Sequence, residues 1–271
     1  MKKIFTSNGI VSELEFPWDE YNTGQSVYEV IRIIDGVALF LEDHFNRLIH
    51  SLENLGISFE LGFEEFQQKI VDLAAINQIS EGNVKFVYPL IQNETKWLFA
   101  FIPHNYPSRS DYLNGVSTDF LFDERENPNA KINQNSLREK ADQLIHEQKL
   151  YEMLLVDRNG MITEGSRSNV FFVKDDVFFT APSSKVLVGI TRQKVIECLN
   201  DLGFILVEEA VNDSEINRFD GVFLTGTSPK VLPVRSIGNQ IFTAKLSVVK
   251  KLMESYDERI TQYILLAKTS Y

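Results

Sequence analysis

Several residues in this chain could do chemistry, and their spacing says which. Glu164, in T-E-G-S-R-S-N, stands beside a glycine just ahead of an apolar run, so a turn is expected there. A carboxylate on such a turn can be aimed into a cleft, where it would keep a pyridine nitrogen protonated and the ring electron-withdrawing. It could equally be a turn glutamate in solvent. Gly189-Ile190-Thr191-Arg192 opens the helical run Q-K-V-I-E-C-L-N-D-L. Helix N-termini carry unpaired N–H groups and partial positive charge, and a glycine lets an anion come close. Thr191 is also an ordinary N-cap residue. Leu224-Thr225-Gly226-Thr227-Ser228-Pro229 is a second phosphate candidate, or simply a turn after a strand. Arg47, on the polar face of a helix pattern, is a third; it could supply a bidentate charge or lie solvated. A charged ring nitrogen and a phosphate are both carried by pyridoxal phosphate, which also needs a lysine. Lys131 lies upstream, between a polar stretch and a helix start. A Schiff-base lysine must lose its proton to react, which burial favours. Composition alone does not separate Lys131 from Lys140 or from a surface lysine.

The elements that must hold these residues follow from periodicity. Val27–Ile34 is rich in β-branched residues and is followed by Asp35-Gly36 and Val37–Leu41, a hairpin pattern. Glu42–Leu55 places Phe45, Leu48, Ile49, Leu52 and Leu55 at helical spacing, and Gly56 ends it. Phe63–Ala75 is predicted as a second helix. Val84–Ile91 and Trp97–Ile102 are predicted as strands, with Asn93 supplying the turn. Pro103–Ser110 reads as a linker. Beyond it, strands are expected at Ser117–Phe122, Met153–Val156, Asn169–Val173, Val177–Thr180, Ile205–Val207 and Val222–Thr225. Helices are expected at Asn135–Gln148, Thr191–Leu202 and Lys245–Thr261. The fold class is α+β in two domains: a smaller N-terminal α+β domain, 1–107, and a larger strand-rich C-terminal domain, 115–271, with the link at about 108–114.

Bulk properties narrow the function. The 271 residues suffice for two modest cores, and 44% hydrophobic with 24% charged residues is ordinary for a globular protein. A net charge of −11 argues against nucleic acid or an anionic membrane as partner. Cys198, the single cysteine, excludes an intrachain disulfide and reads as a buried small hydrophobe. The basic start has no apolar run behind it and no stretch approaches a membrane span, so a cytoplasmic location is expected. The four histidines show no metal-ligand spacing, and no metal is expected.

Together the motifs resemble the class IV, or fold type IV, pyridoxal-phosphate family, which includes branched-chain and D-amino acid aminotransferases and aminodeoxychorismate lyase. The likeness runs through G-Q-S-V-Y-E-V-I-R, L-F-L-E-D-H-F-N-R-L, A-K-I-N-Q-N, D-R-N-G-M-I-T-E-G-S-R-S-N-V-F-F-V, L-V-G-I-T-R and F-L-T-G-T-S-P-K-V-L-P-V. The resemblance implies that Lys131, 33 residues before Glu164, is the Schiff-base lysine, with Glu164 as partner of the pyridine nitrogen. It implies a phosphate cradle of Arg47, the backbone of Ile190 and Thr191, and Thr227. Tyr28 matches an aromatic position beside substrate, and Glu29 follows it as in the transaminase-like members. The family also implies a homodimer acting on an amino acid and a 2-oxo acid. Three positions depart from the pattern: Tyr88 stands where some members have a carboxylate-binding arginine, Ser136 where some have a tyrosine near the ring hydroxyl, and Thr23 where branched-chain enzymes tend to have a tyrosine. Amino transfer is the leading expectation. The alternatives are elimination of pyruvate, as in the lyase, and a non-catalytic ligand-binding relative.

Overall fold

The computed structural model describes residues 2–18, 21, 25–90, 95–125, 130–132 and 135–269. Thr23 and the Asn93 turn lie outside the described residues. The chain divides into two units: Met1–Asn105 with Ala130–Asn133 and Ile260–Tyr271, and Tyr106–Asn129 with Gln134–Arg259.

The first unit is built on strands β1 (Lys3–Thr6), β2 (Gly9–Ser12), β3 (Ser26–Ile34) and β4 (Val37–Ala38), helices α1 (Leu41–Glu53) and α2 (Phe63–Asn77), and strands β5 (Gly82–Pro89) and β6 (Leu98–Ile102). These strands form one antiparallel sheet ordered β2-β1-β6-β5-β3-β4. The expected hairpin is present: Asp35 and Gly36 both take positive φ, 52° and 78°, the twist that suits a two-residue hairpin. Strand β4 is shorter than expected. It stops at Ala38 because Phe40 turns into the left-handed region and Leu41 already begins α1. The β1–β2 hairpin was not expected, since its four-residue strands are too short to show a period.

Alternation along β3 decides what its residues face. Val27, Glu29, Ile31 and Ile33 are all buried, while Tyr28, Val30, Arg32 and Ile34 are half-buried on the other face. The apolar members of the first set pack with Leu48 and Leu52 of α1, Phe66 and Ile70 of α2, and Phe86 and Phe99 of the sheet. Phe66, Phe86 and Phe99 meet pairwise at 4.8–5.2 Å between ring centroids, each pair adding roughly 0.5–1.5 kcal/mol beyond area burial. On the other face Tyr28 packs with Ile4, Phe16, Tyr21, Val87 and Leu98.

The second unit contains α3 (Arg109–Asn114), β7 (Val116–Phe122), α4 (Asn135–Gln148), β8 (Glu152–Val156), β9 (Met161–Gly165), β10 (Asn169–Lys174), β11 (Val177–Thr180), α5 (Ile190–Asp201), β12 (Leu206–Glu208), β13 (Val211–Asn212), β14 (Gly221–Gly226), β15 (Lys230–Ile237) and β16 (Gln240–Ile241), and most of α6 (Ser247–Thr269). Its sheet runs β12-β11-β10-β14-β15-β7-β8-β9-β13, with β16 on β15. The parallel pair β7/β8 is joined through α4, as parallel neighbours require a crossover. The α+β organisation expected from periodicity is present.

Several elements differ from the sequence reading. Residues 109–114, within the expected link, form a helix closed by a Ser108/Asp111 capping box. Strand β15 was not expected because Pro233 interrupts its pattern. The proline is tolerated because pairing with β7 begins only at Val234 and carries a bulge by Ser236. Helix α6 reaches Thr269, eight residues beyond the expected end.

Candidate active site

Lys131 is held by backbone. The Tyr28 N–H donates to the Lys131 carbonyl at 3.1 Å, and Val27 bridges Ile132. The Lys131 N–H donates to Ser51 Oγ at 3.3 Å, and that hydroxyl donates to the Arg47 carbonyl at 2.8 Å. One serine therefore ties the lysine segment to the helix carrying Arg47. The Lys131 ammonium lies 4.9 Å from the centroid of the Tyr28 ring, and Lys85 Nζ lies 5.5 Å from the same centroid. Lys85 shares Tyr28's face of the sheet, since Tyr28 pairs with Val87 and Val30 with Lys85. Tyr88 pairs with Val27, so it projects from the opposite face, where its ring meets Phe59 at 6.0 Å.

Arg47 is not a solvated helix charge. Its Nε donates to Glu29 Oε1 at 2.8 Å and its Nη2 to Oε2 at 2.6 Å. His44 Nδ1 lies 2.7 Å from Oε2. Burial alone would raise the Glu29 pKa, but the charge and hydrogen bonds of Arg47 and His44 outweigh it and hold the carboxyl well below the usual range. His44 shifts downward: its burial outweighs the attraction of Glu29, and Arg47 and Lys131 add to the fall. Burial thus disfavours protonation of His44, and a neutral ring in this place would donate from Nδ1–H to the Glu29 carboxylate. Sequence reasoning used Glu29 only as a family marker and read His44 as structural. A carboxylate at a core-facing position of an alternating strand was the available signal. So was the 3-then-4 spacing of His44, Arg47 and Ser51 on one helix face.

Glu164 differs from its expected setting. It lies within β9, 2% exposed, instead of on a turn. The hairpin turn comes earlier, where Asp157 Oδ1 accepts the Asn159 and Met161 N–H groups and Gly160 takes φ 77°. Glu164 Oε1 accepts Arg125 Nε at 2.9 Å, and Oε2 accepts the Leu187 N–H at 3.2 Å. Arg125 Nη2 also reaches the Ser166 carbonyl at 3.2 Å. Arg125 was missed because nothing in its polar surroundings marks it.

Glu152 is a further buried carboxylate, 2% exposed. It accepts Ser166 Oγ at 2.6 Å, Ser168 Oγ at 2.9 Å and the Arg167 N–H at 3.2 Å, and so fixes the stretch that follows Glu164. The N-cap of α5 is Gly189, which places Ile190 and Thr191 in its first turn, both side chains buried. Thr191 is thus helical rather than the cap. A Cβ on Gly189 would clash with Asn169 Oδ1, so the Asn169 side chain, which donates from Nδ2 to the Leu187 carbonyl at 2.9 Å, would have to turn aside to admit one. Thr227 is half-buried in the turn joining β14 to β15. Lys131, Tyr28, Tyr88 and Arg47 thus belong to the first unit, and Glu164, Ile190, Thr191 and Thr227 to the second.

Comparison with known proteins identifies the family. The family model for amino-transferase class IV matches residues 26–237. A D-alanine aminotransferase of Bacillus licheniformis is 32% identical over 240 residues, 81% of each chain. A Thermotoga maritima protein described as "Probable branched-chain-amino-acid aminotransferase" is 30% identical over 251 residues, 90% of this chain and 89% of its own. The T.th. branched-chain amino acid aminotransferase, solved with pyridoxamine 5′-phosphate, shares the fold at TM-score 0.84 and 24% identity, covering 97% of this chain and 95% of that one. The chain belongs to the class IV aminotransferases, pyridoxal-phosphate enzymes that carry an amino group from an amino acid to a 2-oxo acid.

Proposed function

We propose that Lys131 anchors the cofactor, that Glu164 partners its ring nitrogen, and that Arg47, the Ile190 and Thr191 N–H groups and Thr227 hold its phosphate. The observation carrying this reading is Lys131 itself: its ammonium lies against an aromatic ring and its backbone is tied through Ser51 to Arg47. The residues fit a ring bearing a phosphate. An arginine suits a dianion, the glycine-capped start of α5 offers backbone N–H groups to one, and a buried carboxylate suits a protonated ring nitrogen.

When bound, pyridoxal phosphate supplies the electron sink that acidifies the α-C–H bond of an amino acid. Lys131 Nζ would take the α-proton of the amino acid and give it back, as general base then acid. Tyr28 forms part of the substrate side, with Tyr88 and Thr23 as further candidates. Amino transfer is favoured over pyruvate elimination by the family and by Glu29, which follows the aromatic residue as in the transaminase-like members. We also propose a homodimer, as the resemblance implies, in the cytoplasm; light scattering on the purified protein reads the assembly.

The test is a cofactor absorption spectrum of the full chain while L- and D-amino acids are added singly. Bleaching by one donor, with its amino group recovered on a 2-oxo acid, is expected. K131A should abolish the covalent cofactor band and lower turnover by at least about 10²–10⁴-fold. Pyruvate released from aminodeoxychorismate without any amino transfer would overturn the choice of reaction.

A further inference from the structure

We propose that Glu29, assisted by His44, is a positioning residue that sets the Arg47 guanidinium for the cofactor's phosphate. The inference rests on the assignment of Arg47 as a phosphate ligand and goes one layer behind it.

The position of Glu29 is costly in itself. It is 0% exposed on a strand face otherwise given to Val27, Ile31 and Ile33. Burying an ionised carboxylate there carries a penalty of several kcal/mol that an apolar residue of similar size would avoid, so stability alone does not call for it. What the carboxylate does is hold a fork. Both its oxygens accept from Arg47, through Nε and Nη2, and this geometry fixes the plane of the guanidinium as well as its distance. His44 binds Oε2 from the same helix, which stops the carboxylate from rotating about its own axis.

The backbone of Arg47 is fixed independently. Ser51 bonds its carbonyl and also receives the Lys131 N–H. Main chain and head group of Arg47 are thereby set against the lysine segment by two separate devices, serine at one end and glutamate at the other. An arginine whose orientation is fixed before binding loses less rotamer freedom when a dianion arrives. Glu29 also offsets the Arg47 charge, so the pair is neutral until an anion binds.

The experiment titrates the full chain with pyridoxal phosphate and with pyridoxal, which lacks the phosphate, followed by absorbance. Wild type, E29Q, R47A and the double variant are compared. E29Q is expected to weaken pyridoxal phosphate about tenfold, the scale of one misplaced charge-assisted hydrogen bond, with pyridoxal nearly unchanged. R47A should lose at least as much phosphate preference, and adding E29Q to it should cost nothing further. E29D, which keeps the charge but withdraws the carboxylate by one methylene, should fall in the same direction, and it serves if E29Q does not fold.

If E29Q weakens both ligands equally, or weakens pyridoxal phosphate further in the R47A background, the inference is overturned. R47A losing the preference while E29Q and E29D keep it overturns this inference alone. R47A keeping the wild-type preference overturns the assignment of Arg47 and the inference with it.

Discussion

Arg125 and Glu164 form a nearly dry ion pair within one unit, Nε to Oε1 at 2.9 Å, with side chains 12% and 3% exposed. Removing one member of such a pair leaves the other charge buried and unmatched, at about 3–5 kcal/mol. R125M should lower the urea unfolding free energy by that amount, and R125M/E164M should recover part of it. A single variant as stable as wild type would show that Glu164 does not depend on Arg125.

Glu152 predicts a different loss. Its three accepted bonds from residues 166–168 have no substitute in an alanine variant, and charge-assisted bonds of this kind contribute about 1.5–3 kcal/mol each, not additively. E152A should destabilise by about 3 kcal/mol in total and raise amide exchange at 165–168 more than elsewhere. Uniform exchange across the unit would contradict a local role.

Gly189 is tested by the smallest possible change. G189A brings a Cβ onto Asn169 Oδ1, and forced overpacking typically costs about 1–3 kcal/mol. The melting temperature should drop, and cofactor affinity should fall with it. The companion G203A is a control of the opposite sense: that glycine has open space but φ 72°, so its penalty is backbone strain alone and cofactor affinity should hold.

The buried trio on β3 and α1 makes acid sensitivity predictable in sign. Burial lowers the His44 pKa below the ordinary 6.5 in the folded chain, so the unfolded chain takes up a proton there more readily. Unfolding therefore binds a proton below about pH 6.5, and stability must fall as the pH falls. Glu29 sits below its ordinary 4.5, so its contribution is present above that pH and is lost as acid protonates it. The charged groups that act on His44 are Glu29, in contact with it, and Arg47 and Lys131. The urea midpoint should drop between about pH 7 and 5.5, and H44N should flatten that slope while leaving the loss below about pH 4.5. An unchanged slope in H44N would assign the sensitivity elsewhere.

How much of this was legible in sequence depended on range. The β3 strand, the Asp35-Gly36 turn and the Asn135–Gln148 helix are local patterns and came through directly. So did Gly189 as the opening of a helix. Strand β15 was hidden by Pro233, and β9 by Gly165 and the serines after it, which imitate a turn while the chain continues its ladder with β8. The electrostatic partners were hidden for another reason. Glu164 meets Arg125 across 39 residues and Glu29 meets Arg47 across 18, and no period connects positions brought together by tertiary packing.

One bond in the first unit has a consequence in time. The Leu41 N–H, at the start of the helix that carries His44 and Arg47, donates to the Tyr263 hydroxyl at 3.1 Å, and that hydroxyl donates to Glu42 at 2.7 Å. During synthesis the ribosome makes residue 41 more than two hundred residues before residue 263, so the start of α1 must wait for this partner, its N–H bonded to water meanwhile, while all of that chain is made. Lys131 also joins this unit from the middle of the chain. A nascent chain halted after residue 105, where the first run of this unit ends, thus holds neither the lysine nor the tyrosine, and the unit that begins first is not complete until residue 263 has been made.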